Sequence, residues 1–152
     1  MSDRVIKQLE KQKLDTEIII FDQTTKTAKD AALALNCKVS QIVKSLVFKI
    51  KNEDEPIIIL VSGANRVDEI KVSQIIGKQI EKADADFVRD RTGFAIGGVP
   101  PIGHKNIIDI YMDKELLNFK FVWAAAGTPN SVFKISSNDL LEITKAKIIE
   151  VK

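Results

Sequence analysis

The chain of 152 residues has one cysteine, one histidine, one tryptophan and one tyrosine, and these scarcities remove whole classes of chemistry. A lone Cys37 forms no internal disulfide. One imidazole and one thiol are too few soft ligands for a zinc centre, and an HExxH pair is impossible. A Ser or Cys nucleophile needs an adjacent base, and His104 is the only imidazole, so triad logic has little to work with. No GxxxxGK[ST] loop occurs, and Gly97, Gly98 and Gly103 lack GxGxxG spacing, which sets nucleotide-triphosphate and dinucleotide binding aside; no cofactor and no metal are expected. Uninterrupted apolar runs such as Ile57–Val61 and Phe121–Ala126 stop at five or six residues, far short of the roughly 20 that a membrane helix needs. A membrane partner is not expected. The N-terminus shows no basic head followed by an apolar stretch, so the expected compartment is the cytoplasm. Charge of one sign is also missing. Lys and Arg number 23 against 21 Asp and Glu, a net +2 that does not suit a protein coating nucleic acid, and DNA is not an expected partner.

What is present is a chain 45% hydrophobic and 29% charged, enough for one compact domain over residues 1–152. Aromatics are only 6%, and the plentiful Ile and Val favour a core of β-branched strands. Residues 1–51 carry ten basic and six acidic side chains, so a polyanion would approach the N-terminal third.

Apolar spacing predicts a helix over Asp3–Lys13, capped by Ser2 or Asp3, and a strand over Glu17–Phe21. Thr27 followed by Asp30 approximates a capping box that opens an Ala-rich helix ending near Asn36. Val43–Lys51 and Ile57–Ser62 read as a hairpin. Helices follow over Asp68–Ile76 and 84–92, stopped by Gly77 and Gly93. Strands are then predicted at Phe94–Ile96, Ile107–Asp113, Phe121–Ala125, Ser131–Ile135 and Lys147–Val151, with a short helix at Lys114–Asn118 and a longer one at Asn138–Thr144 capped by Ser136 or Ser137. This mixture lacks a regular βαβ rhythm. It predicts an α+β fold, a mixed, barrel-like sheet flanked by helices.

Three segments stand out. Alternation puts Lys44 on the strand face that carries Ile42, Leu46 and Phe48, an odd place for a cation. Such a lysine either anchors an anion or ester oxygen at the mouth of a pocket, or snorkels to the sheet edge or pairs with a carboxylate. The second segment runs from Gly93 to His104, through Gly97-Gly98-Val99-Pro100-Pro101-Ile102-Gly103. Its glycines and prolines can fix bare backbone N–H groups for a small polar ligand or an oxyanion, or form a rigid double turn between strands. The third, Ala124 to Asn130 around Gly127, lines the same cavity or makes a tight hairpin.

Together and in this order, Gln41-Ile42-Val43-Lys44-Ser45-Leu46-Val47-Phe48, Arg91-Thr92-Gly93-Phe94, Gly97 through His104 and the Gly127 turn resemble the YbaK and prolyl-tRNA synthetase-associated family of aminoacyl-tRNA editing domains over nearly the whole chain. The resemblance implies a free-standing deacylase that hydrolyses the ester of a mischarged tRNA, either tRNA(Pro) carrying a small amino acid such as Cys or Ala, or a tRNA charged with Ser or Thr. It also implies the acceptor end of that tRNA as partner, with an aminoacyl-tRNA synthetase such as prolyl-tRNA synthetase as a further one. Lys44, Gly97 and Gly98 take catalytic places, and Phe21, Ser45, Pro100, Gly103, His104 and Gly127 take substrate-binding places. Phe21 stands where some members have Tyr, and Ser45 where the alanine-specific branch has Asn, which argues against alanine specificity. The competing reading is a non-catalytic module that binds the CCA end or a synthetase.

Overall fold

The computed structural model describes residues 3–14, 16–22 and 27–152. Helices are α1 (Asp3–Lys11), α2 (Ala28–Leu35), α3 (Glu69–Ile76), α4 (Ala85–Thr92) and α5 (Ser137–Thr144). Strands are β1 (Ile18–Ile20), β2 (Ile42–Ile50), β3 (Pro56–Ser62), β4 (Ile80–Lys82), β5 (Asp109–Asp113), β6 (Phe121–Ala125), β7 (Ser131–Ser136) and β8 (Lys147–Ile149). The strands form one mixed sheet in the order β1-β7-β6-β2-β3-β5-β8, with β4 on β2. This is the α+β class expected, with helices on both faces.

Local chemistry explains most boundaries. Thr27 accepts the Asp30 N–H at 3.1 Å and caps α2, while Asp68, Asp84 and Ser136 cap α3, α4 and α5 in the same way. Gly77 and Gly93 end α3 and α4 in the left-handed conformation. The first helix stops at Lys11, short of the predicted Lys13, whose φ is +57°. Its candidate cap Ser2 lies outside the described residues.

Three elements differ from the sequence reading. Phe94–Ile96 is not a strand. Thr92 Oγ1 accepts the Phe94 N–H at 3.1 Å and Ala95 O accepts the Gly98 N–H at 3.0 Å, so the segment's polar groups close local turns while the Phe94 ring enters the core. The three residues of β4 carry too little pattern to announce a strand, yet they pair with Phe48–Ile50 of β2. The helix expected at Lys114–Asn118 is a 3₁₀ turn, capped by Asp113.

Alternation along β2 and β3 divides the core. Val43, Ile58 and Leu60 join Met112, Val122, Phe133 and Leu140 on one face, beneath α1, α4 and α5. The opposite face holds two separate clusters. One gathers Phe48, Ile59, Val61 and Val72 under α3, the other Ile42, Trp123 and Val132 under the alanines of α2. Lys44, on the face of Ile42 and Leu46, lies between them.

Candidate functional site

The cavity opens where the edge of β2 is interrupted. On the side away from β3, Ile42 and Val43 pair with β6 and Phe48–Ile50 pair with β4, leaving residues 44–47 without a strand neighbour on that edge. Ile96, Gly97 and Val99 border this gap. The resulting cavity, about 640 Å³, is lined among others by Lys44, Ser45, Asn65, Arg66, Gly97, Trp123, Thr128 and Pro129. That volume suits a small organic ligand.

Lys44 is half-buried, and its Nζ donates to Asn65 O at 2.6 Å. Burial pushes its pKa below the ordinary lysine value, the charge of Arg66 pushes it the same way, and Asp113 partly opposes them. Asn65 is itself held in place. Its Nδ2 donates to Asp113 Oδ2 and to Glu115 Oε2, both at 2.9 Å, and the buried Asp113 also accepts the Ser62 and Glu115 N–H groups. A carboxylate with three donors fixes the turn after β3, and that turn fixes the lysine. Gly63 starts the turn; a Cβ there would lie 2.4 Å from Val39 O.

The two glycine bends meet at this cavity. Gly97 lines it in a left-handed conformation. Gly98 packs against the other bend, where an added Cβ would stand 3.1 Å from Pro129 N and from Thr128 C. The Gly98 N–H is committed to Ala95 O, so of the two expected amide donors only Gly97 is without an acceptor among the described residues. Ser45 Oγ is buried with no hydrogen-bond partner among the described residues, a cost of about 1–3 kcal/mol.

Other expected residues sit elsewhere. Gly103 and His104 border a different depression, with Gln8, Ile108 and Thr144. His104 Nε2 bonds Pro100 O at 2.6 Å and its ring meets Phe94 edge-on, so this histidine braces the loop. Burial lowers its pKa, against the pull of the Pro100 carbonyl. Phe21 packs in the α2 cluster, and its backbone is tied to Asn130 in the second bend. Gly127, with φ +106°, precedes the lining pair Thr128 and Pro129 without lining the cavity itself.

Charge at the cavity is one-sided. Among the described residues Lys29, Lys44 and Arg66 line it and no Asp or Glu does. Asn65 and Arg66 were missed in the sequence; the small residues directly after β3, at the end of the sheet where Lys44 lies, were the available signal. Among the described residues no group of three or more His, Cys, Asp or Glu could hold a metal ion, and no helix is long and apolar enough to cross a membrane. The lining can receive an anionic group beside a small apolar compartment, but among the described residues it supplies no imidazole, thiol or carboxylate to act as a base.

Residues 22–143 match the family model described as the aminoacyl-tRNA editing domain. A crystal structure described as that of a candidate trans-editing enzyme for prolyl tRNA synthetase superposes with a TM-score of 0.92 at 40% identity, covering 100% of this chain and 98% of that one. The uncharacterized protein YwhH of Bacillus subtilis is 29% identical over 88% of this chain and 85% of its own length. A candidate Cys-tRNA(Pro)/Cys-tRNA(Cys) deacylase of Enterococcus faecalis, EbsC, is 24% identical over 82% of this chain and 76% of its own length.

Proposed function

The chain belongs to the aminoacyl-tRNA editing domain family, and from that premise we propose that it is a cytoplasmic, single-domain deacylase acting in trans on a mischarged tRNA. The observation that carries the reading is the cavity, where Lys44 and Gly97 open into one space beside Thr128 and Pro129, with three cations and no acid among the described residues of its walls. A terminal adenosine with its phosphate suits that charge, and the small space between Ser45, Ile96 and Val99 suits a short aminoacyl side chain. The partner is the acceptor end of the tRNA; an aminoacyl-tRNA synthetase such as prolyl-tRNA synthetase is the source of the mischarged species.

In this reading the Lys44 ammonium, oriented by Asn65 O, holds the terminal phosphate or ribose, and the free Gly97 N–H faces the ester carbonyl. Water attacks the carbonyl carbon, the bond to the ribose oxygen breaks, and the water proton passes to that oxygen. The described lining has no carboxylate, imidazole or thiol, so the neighbouring ribose hydroxyl of the substrate relays the proton. Size exclusion then acts as the second sieve of editing. Ser45 stands where the alanine-specific branch of the family has Asn, which argues against Ala as the amino acid removed.

The test is release of amino acid from tRNA(Pro) charged with Ala or Cys and from tRNAs charged with Ser or Thr, by the wild type and by Lys44→Ala. At least one species is hydrolysed, and the variant loses roughly tenfold or more, as expected when a preorganised electrostatic contact is removed. Undiminished hydrolysis by Lys44→Ala removes the lysine from the mechanism. The absence of a base in the cavity favours one second reading, a non-catalytic module for the CCA end or for a synthetase; saturable tRNA binding with no hydrolysis of any species would establish it.

A further inference from the structure

Outside the cavity, and resting on the reading just given, the geometry points to a second contact surface for the same tRNA end: Phe121, flanked by Lys120 and Lys134, is a stacking platform for the single-stranded nucleotides that precede the terminal adenosine. Phe121 is 39% exposed at the start of β6. It shares a strand face with Trp123, two residues on, which forms part of the cavity wall. Lys134 stands opposite Trp123 on β7, with its Nζ 4.8 Å from the Phe121 ring centre and 5.9 Å from that of Trp123. Lys120 Nζ lies 5.6 Å from the Phe121 ring. Gln41 donates to Phe121 O and accepts the Lys38 N–H, tying the start of β6 to the turn that leads into β2. Trp123 and Lys134 thus lie between the cavity wall and the Phe121 ring.

Neither Lys120 nor Lys134 forms an ion pair among the described residues. An exposed aromatic ring between two cations without carboxylate partners has the chemistry of a single-strand nucleic-acid groove: the ring stacks on a base of any identity and the cations meet the backbone phosphates. An exposed cation–π contact is weak, so each lysine can exchange it for a phosphate. The terminal adenosine occupies the cavity, and the nucleotide before it lies over Phe121.

The experiment uses an acceptor-stem RNA minihelix with a single-stranded CCA end, the same minihelix made blunt, and a mischarged aminoacyl-adenosine that reaches only the cavity. Phe121→Ala weakens binding of the overhang minihelix at least about fivefold, from the loss of one base–aromatic stack. Phe121→Tyr retains it, and blunt binding is unchanged. On mischarged overhang minihelix, Phe121→Ala and Lys134→Ala raise KM with kcat unaltered, while hydrolysis of aminoacyl-adenosine stays at the wild-type rate. Wild-type KM in folded Phe121→Ala, or an equal loss on the blunt RNA, overturns the platform while leaving editing intact. A wild type that binds the overhang through Phe121 but hydrolyses nothing overturns the editing reading and leaves the platform standing.

Discussion

Lys44 is held as an ammonium between two apolar clusters by a carbonyl whose own residue is clamped by Asp113, so its placement depends on a carboxylate that does not line the cavity. Because its pKa is lowered, binding of an amide-linked, non-hydrolysable aminoacyl-adenosine should weaken with rising pH before an ordinary lysine, near about 10.4, would lose its proton. The pH profile of Lys44→Arg, which stays charged, checks this by remaining flat. His104 predicts an effect of different sign on a different quantity. Its folded pKa lies below the unfolded value of about 6.5, so its contribution to stability is present above that pH and is lost as the pH falls through 6.5 toward the folded pKa. Denaturant melts of the wild type and His104→Gln should therefore diverge as the pH is lowered, with the wild type losing more stability; parallel curves would count against a buried neutral imidazole. At this scale the sequence showed Lys44 as misplaced, since alternation alone puts it on an apolar face. It could not show Asn65 as the anchor, because a carbonyl contact leaves no mark on residue type. Nor could it show that the Gly98 N–H is already bonded or that His104 looks away from the cavity.

The elements that build the site are the interrupted edge of β2 and the two bends packed across it. Gly98→Ala places a Cβ 3.1 Å from backbone atoms of Thr128 and Pro129, which cannot rotate away, so the bends must separate. A cost of about 1–3 kcal/mol is expected for such overpacking, seen as a Tm lower by roughly 2–4 °C per kcal/mol for a chain of this size, together with a higher KM for the mischarged RNA. An unchanged Tm would mean that the bends are not in close contact. Periodicity and turn residues revealed the β2–β3 hairpin, β6, β7 and the capped helices, because each carries a long apolar pattern or a Ser, Thr, Asp or Gly boundary. The misreading at Phe94–Ile96 and the omission of β4 share a cause. In three-residue segments tertiary pairing and one hydroxyl, that of Thr92, outweigh local preference. Since β4 was not foreseen, neither was the gap in the β2 edge that opens the cavity.

At the scale of the whole molecule, a net charge of only +2 hides a local concentration of Lys29, Lys44 and Arg66 at one opening. Binding to tRNA should fall with salt, and Arg66→Ala should both weaken it and flatten the log–log slope by about 0.7 for each single-strand phosphate it no longer neutralises; an unchanged slope would place Arg66 outside the footprint. Composition pointed to one compact domain and away from metal, dinucleotide and triad chemistry, and the order of elements to an α+β fold, but the convergence of two distant bends on one lysine became legible only when three weak motifs were taken together in order. The most direct test of that convergence is a titration of isotope-labelled protein with amide-linked aminoacyl-adenosine, followed through backbone amide NMR shifts. The account predicts movement at Lys44, Asn65, Gly97 and Thr128 with Gly103, Lys105 and Asn106 still; movement confined to Gly103–Asn106, around the other depression, would contradict it.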